Sequence, residues 1–210
     1  MNLTFLAYGN RPGERDMAAM MIASARKCMP GLRIVQATDA DTEAFEGVDA
    51  VKRYPVTPLP PFTLLTGWHM IQCERDTIYA DTDIIFRADI RNLFEQDFDA
   101  GLCLREKNDP LYVEQRYCGG IILIRNQKFF TDVYAEVETM GFQYQIWYAG
   151  QMAFPKVALR GYKIFELPMN VYNYAPSEDQ DSLPDSAKVI HFKGPKRKNF
   201  MLEDKFGLMK

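Results

Sequence analysis

Short apolar runs alternate with stretches of helical periodicity along the first half of the chain. Residues 3–8 (Leu-Thr-Phe-Leu-Ala-Tyr) read as a buried strand closed by Gly9-Asn10. A helix follows from Met17 to about Cys28, with Asp16 as its expected cap and Pro30-Gly31 as its stop. Residues 32–37 and 50–54 read as two further strands, and Thr57-Pro58-Leu59-Pro60-Pro61 as a stiff linker. A second helix is predicted over 62–74, then a strand over 77–80 that runs into Asp81-Thr82-Asp83. Residues 99–104 and 119–124 predict strands, 127–140 a helix, and 162–167 and 187–192 late strands. This alternation predicts an α/β fold, with a mixed, mostly parallel sheet flanked by helices on both faces.

Length and composition narrow the class. At 210 residues, the chain is expected to form one domain, with a nucleotide-binding half over 1–105 and an acceptor half over 106–210. A net charge of −3 argues against a protein that coats nucleic acid, although 193–198 holds four basic residues in six. Cys28, Cys73, Cys103 and Cys118 form no CxxC pair, which argues against a zinc or dithiol motif; the first three are expected in the core. No apolar stretch approaches the roughly 20 residues of a membrane-spanning helix. The N-terminus enters a strand-like run at once, so a cytoplasmic protein is expected, with room for peripheral contact at the inner membrane.

The chemistry gathers where a strand ends. Asp81 and Asp83 stand just past an apolar strand, at the edge where open α/β sheets bind ligands. Two carboxylates one residue apart can share a magnesium or manganese ion, which would bridge a nucleoside diphosphate. Most such triplets are solvated turns. His191, at the end of a late strand, adds an imidazole suited to manganese; Gly194 permits close backbone approach to a phosphate, and Lys196 offers a charge. A lone histidine beside a solvated basic tail is the plain alternative. Trp68 fits a core pattern, and His69 is expected to be structural or exposed. The aromatic segments 142–148 and 172–174 read as core packing or as flat platforms for a sugar or base.

In order and spacing, these motifs resemble the glycosyltransferases of GT-A type fold, and most of all glycosyltransferase family 8, which includes glycogenins and bacterial lipopolysaccharide galactosyltransferases. The resemblance spans about residues 1–200. Three segments carry it: Tyr79-Ala80-Asp81-Thr82-Asp83; Cys118-Gly119-Gly120-Ile121-Ile122-Leu123-Ile124; and His191 with Gly194 and Arg197, the last flanked by Lys196 and Lys198. It implies a metal-dependent transferase that moves a sugar from a nucleotide sugar, UDP by preference, to an acceptor hydroxyl, with retention of configuration. The acceptor would be a glycan, a lipid-linked sugar or another hydroxyl, with nucleic acid left open. Asp81, Asp83 and His191 would hold Mn2+ or Mg2+. Ala7, Tyr8 and Asn10 would line the nucleoside pocket, Arg75 and Thr82 would touch the donor, and Gly194 with Lys196, Arg197 or Lys198 would hold the diphosphate. Gln151 would sit beside the anomeric carbon. The chain departs from the family at Gly150, where an acid is usual, and at Asn199-Phe200, where Pro-Trp is usual.

Three rival readings are weaker. A haloacid-dehalogenase phosphatase would carry Thr or Val where Ile85 stands, and would carry its motif earlier in the chain. A nucleotidyltransferase would need a richer glycine loop than residues 9–13 supply. A non-catalytic binder of sugar nucleotides would keep the metal site and lack transfer.

Overall fold

The structure is a computed structural model that describes residues 1–9, 13–54, 62–141, 145, 148–177 and 182–209, with 62–65 as backbone alone. The expected linker at 57–61 lies outside these residues, as does the aromatic segment 142–148 apart from Gln145 and Tyr148.

The first strand, β1 (Asn2–Leu6), is buried along its whole length. Helix α1 (Glu14–Cys28) starts earlier than the sequence suggests. Its cap is Gly13 at φ 72°, a left-handed conformation that favours glycine, and Asp16 lies exposed in the first turn. Asp16 therefore adds negative charge near the helix N-terminus and caps nothing. Next come β2 (Arg33–Thr38), β3 (Ala50–Arg53), α2 (Phe62–Ile71) and β4 (Thr77–Ala80). After the acidic triplet the chain forms β5 (Ile84–Phe86), a short 3-10 helix (Arg91–Glu95), β6 (Ala100–Leu104) and β7 (Tyr117–Ile124). Helices α3 (Gln127–Glu138) and α4 (Ala149–Ala158) precede β8 (Ile164–Pro168), the short α5 (Met169–Tyr172), β9 (Val189–His191) and α6 (Pro195–Leu202).

A seven-stranded sheet in the order β3-β2-β1-β4-β7-β6-β8 runs through both halves of the chain. It is mostly parallel, as expected, and β7 alone among its described strands runs against its neighbours β4 and β6. The period-two alternation of strand side chains divides the core. Leu3, Phe5, Ile34, Ile78, Ile121 and Leu123 face α1, whose Ala18, Met21, Ile22 and Ala25 form the matching stripe. Leu6, Tyr79, Ile122 and Ile124 face Phe129, Phe130 and Val133 of α3 and Phe154 of α4. On that second face His69 is buried, its Nε2 2.8 Å from Thr4 Oγ1 and its Nδ1 2.7 Å from Tyr54 OH. Burial pushes this imidazole down to about 3. Trp68, expected in the core, is 36% exposed and packs on Tyr54 with ring centroids 5.0 Å apart. The four cysteines are free; Cys73, Cys103 and Cys118 are buried and Cys28 is half-buried.

Strand β9 falls inside the strand expected over 187–192, whereas β5, α4, α5 and α6 were not legible in the hydrophobic pattern. Strands β5 and β9 form a separate antiparallel pair of three residues each. The basic segment that reads as a tail is largely helix α6, set by Pro195 at its first position and by Gly194, at φ 90°, as the residue before it. Met17, Ile85, Ile190, Phe192 and Met201 form a small third core that ties β5, β9 and α6 to α1.

Candidate active site

The acidic triplet is the crossing point between the two sheets. Asp81 N donates to Gly120 O at 2.9 Å, which extends the β4–β7 ladder by one step. The chain then leaves the large sheet through Thr82 and Asp83 and enters β5. There Ile84 pairs with His191, and Phe192 N donates to Asp83 O at 2.8 Å. This pairing sets His191 beside the two carboxylates. Its Nε2 lies 3.1 Å from Asp83 Oδ1 and 3.7 Å from Asp81 Oδ2. One ligand atom from each of Asp81, Asp83 and His191 falls within 4.8 Å of the others.

The ring of His191 is oriented from behind. Asn173, fully buried just after α5, places its Oδ1 2.8 Å from His191 Nδ1. An amide oxygen only accepts, so Nδ1 carries a proton. Nε2 then faces two carboxylate oxygens, an arrangement satisfied by a proton on Nε2 or by a cation shared among the three groups. The same ring packs closely against Gly120. A Cβ there would come within 2.3 Å of His191 Nδ1 and 2.6 Å of Asn173 Oδ1. This close approach is a physical reason for the second glycine of Gly119-Gly120.

The carboxyls are in unlike environments. Burial is the largest influence on Asp81 and, with Asp83 adding to it, outweighs His191, pushing its carboxyl up to about 7. Burial also opposes ionisation of Asp83, but His191 and Lys198 overcome it and hold that carboxyl well below the usual range. Tyr79 OH donates to Asp81 Oδ1 at 3.2 Å. Lys198 Nζ lies 3.2 Å from Asp83 Oδ2. These residues fit a hard divalent cation of the magnesium or manganese kind: two carboxylates and one oriented imidazole.

The other sequence-predicted residues divide by position. Thr82 is buried between the two carboxylates. Ala7 is buried just past β1, its N donating to Ala37 O at 3.0 Å, and Tyr8 is half-buried beyond it. They lie at the carboxyl edge of the parallel strands, the edge that also carries Asp81. An open cleft of about 350 Å³ adjoins them, lined by Gly9, Asp39, Asp41, Thr42 and Glu43. Asn10 lies outside the described residues. Gly194 and exposed Lys196 begin α6. Arg197, which has the motif spacing from His191 and Gly194, is turned aside: its Nε donates to Pro176 O at 2.5 Å and its Nη1 to Lys193 O at 3.2 Å. Gln151 is buried on α4. Its Oε1 accepts from Arg105 Nη2 at 3.1 Å, and Arg105 is itself held by Asp109 at 3.0 Å and Gln115 O at 2.6 Å.

Arg75 requires a correction. It precedes β4, at the amino end of that strand, and is exposed with its Nε 3.9 Å from Asp76. The strand's full length separates it from Asp81, so the structure does not bring it to the site. Asn173 and Arg105 were missed. Neither has a local signal, since each acts through a residue far along the chain.

No sequence-family profile matches the chain, and no curated protein is similar to it in sequence. Solved structures are similar in fold. The galactosyltransferase LgtC, in complex with donor and acceptor sugar analogues, matches at TM-score 0.62 and 15% identity over 97% of this chain and 96% of that one. The glycosyltransferase GlyE of Streptococcus pneumoniae TIGR4 matches at TM-score 0.63 and 14% identity, and this chain covers 59% of its length. The bifunctional glycosyltransferase WbbM matches at TM-score 0.61 and 13% identity, with 46% of its length covered. The mixed, mostly parallel sheet, its flanking helices and the order in which they follow one another are thus similar to the fold of GT-A type glycosyltransferases.

Proposed function

We propose that the chain is a metal-dependent glycosyltransferase that moves a sugar from a nucleoside diphosphate sugar, UDP by preference, to an acceptor hydroxyl. The observation that carries this reading is the convergence of Asp81, Asp83 and His191 at the sheet edge, with the His191 tautomer set by Asn173. The similar structures support it: LgtC is a galactosyltransferase in complex with donor and acceptor sugar analogues, and GlyE and WbbM are glycosyltransferases.

Each residue then has a task. Asp81, Asp83 and His191 hold the metal, which supplies charge to offset the departing diphosphate. Ala7, Tyr8 and the cleft beside Gly9 take the nucleoside. Gly194, Lys196 and the start of α6 face the diphosphate, where helix N-H groups favour an anion. Gln151 lies beside the sugar, and Arg105 holds its side-chain oxygen so that its amide N-H groups are left to donate. Retention fits this arrangement if the leaving phosphate oxygen takes the acceptor's proton. The acceptor belongs to the same proposal: a hydroxyl on a glycan or lipid-linked sugar.

A thermal-shift panel of nucleotide sugars with and without manganese tests this. A ligand at a hundred times its Kd adds about 2.7 kcal/mol, or a rise of about 5–10 °C for a chain of this size. The expected result is a rise with one donor, only with metal, abolished in Asp83→Ala, and followed by sugar transfer. Binding without transfer or hydrolysis would favour a sugar-nucleotide binder. No shift with any donor would overturn the reading.

A further inference from the structure

Both oxygens of Asp83 are engaged. His191 Nε2 lies 3.1 Å from Oδ1 and Lys198 Nζ 3.2 Å from Oδ2. The Asp83 side chain is 8% exposed, whereas that of Lys198 is 40% exposed, so the ammonium reaches in from a stem that remains in solvent. Lys198 stands at the end of the first turn of α6, its N bonded to Gly194 O at 3.2 Å. Its neighbour Arg197 is bound to the carbonyls of Pro176 and Lys193 and does not compete for Asp83.

We propose that Lys198 is a built-in counter-ion that couples metal binding to diphosphate binding at this site. The inference rests on the metal reading above. Two carboxylates offset the charge of one divalent ion. With Lys198 on Asp83 as well, the site would hold one positive charge too many. A divalent ion arriving alone must therefore displace the ammonium into water or share Asp83 with it. An ion arriving with a nucleoside diphosphate gives that ammonium a phosphate oxygen in exchange, and the flexible lysine stem allows the move. The two ligands then tighten each other's binding by the same factor, since linkage is reciprocal. Lys198 is a positioning and coupling residue here.

The test is Mn2+ binding to the whole chain, followed by electron paramagnetic resonance of free Mn2+, with and without UDP. Lys198→Met and Lys198→Gln are compared with the unaltered protein, with melting curves to establish that each is folded. In the unaltered protein UDP should tighten Mn2+ binding on the order of tenfold or more. In both variants Mn2+ alone should bind several-fold tighter, and the effect of UDP should shrink by the same factor. Unchanged or weaker Mn2+ binding in both folded variants, with the UDP effect intact, overturns the coupling role and leaves the metal reading standing. Failure of the unaltered protein to bind Mn2+ under either condition overturns both.

Discussion

Gly120→Ala tests the site's geometry without replacing any ionisable group. The new methyl would sit 2.3 Å from His191 Nδ1, 2.5 Å from its Cε1 and 2.6 Å from Asn173 Oδ1. Ordinary contact needs about 3.5 Å, so the ring or the strand must retreat by roughly 1 Å. Gly120 is in the middle of β7 and bonded through its carbonyl to Asp81 N, so the ring is the part more able to give. Its retreat would open the 3.1 Å approach to Asp83 and break the bond to Asn173. Overpacking costs about 1–3 kcal/mol and a buried bond lost on one side about 1–3 more. The sum, about 2–6 kcal/mol, lowers Tm by roughly 4–24 °C at this chain length. Gly119→Ala is the control, because its methyl would meet Gln151 Cγ at 3.6 Å, an ordinary contact. Scanning calorimetry and a Mn2+ titration read both variants. Gly120→Ala is expected to lose Tm and at least tenfold in metal affinity, and Gly119→Ala little of either. Equal behaviour of the two variants would refute the packing argument.

Asn173→Ala removes the group that holds His191 Nδ1, and metal affinity should fall about 10- to 100-fold. Asn173→Asp keeps an acceptor at that nitrogen and should retain binding; an unaffected Ala variant would show that the ring is oriented by other means. His69 makes stability depend on pH. It is neutral in the folded state, with its titration pushed from 6.5 down to about 3, so above pH 6.5 its contribution is intact. As pH falls from 6.5 toward 3, the unfolded chain takes up a proton that the folded chain refuses, and stability drops by up to about 1.4 kcal/mol per pH unit. Denaturant melts across that window should show this slope, and it should flatten in His69→Ala. That variant should also lose about 2–4 kcal/mol at neutral pH, because the hydroxyls of Thr4 and Tyr54 lose their buried partner. An unchanged slope in His69→Ala would assign the acid sensitivity to other groups.

Local pattern carried a good deal. The continuous apolar runs located the strands of the parallel half to within a residue or two. The breaks after β1 and β4 placed Tyr8 and Asp81 at one sheet edge before any coordinates were needed. The reason is that a buried strand and an amphipathic helix each write their period into consecutive residues. Strand β5 was missed because three residues show no period, α4 carries Pro155 within it, and α6 opens with Pro-Lys-Arg-Lys, a run with no apolar stripe to read; β9, equally short, lay inside the strand read over 187–192. Arg75 came from the resemblance alone; it precedes β4 and Asp81 follows it, so the strand's length separates the two.

The sequence by itself determined the α/β class, the strand that ends in two carboxylates and the presence of a histidine, glycines and basic residues able to serve them. Only the tertiary structure decided which of these meet. The β5–β9 pairing sets His191 on Asp83, the missing side chain of Gly120 makes room for the ring, Asn173 chooses its tautomer, and the turn of α6 presents Lys198 where the spacing suggested Arg197. Such meetings depend on sheet order and helix rotation, which are set by the burial of whole faces. No short stretch of sequence records them.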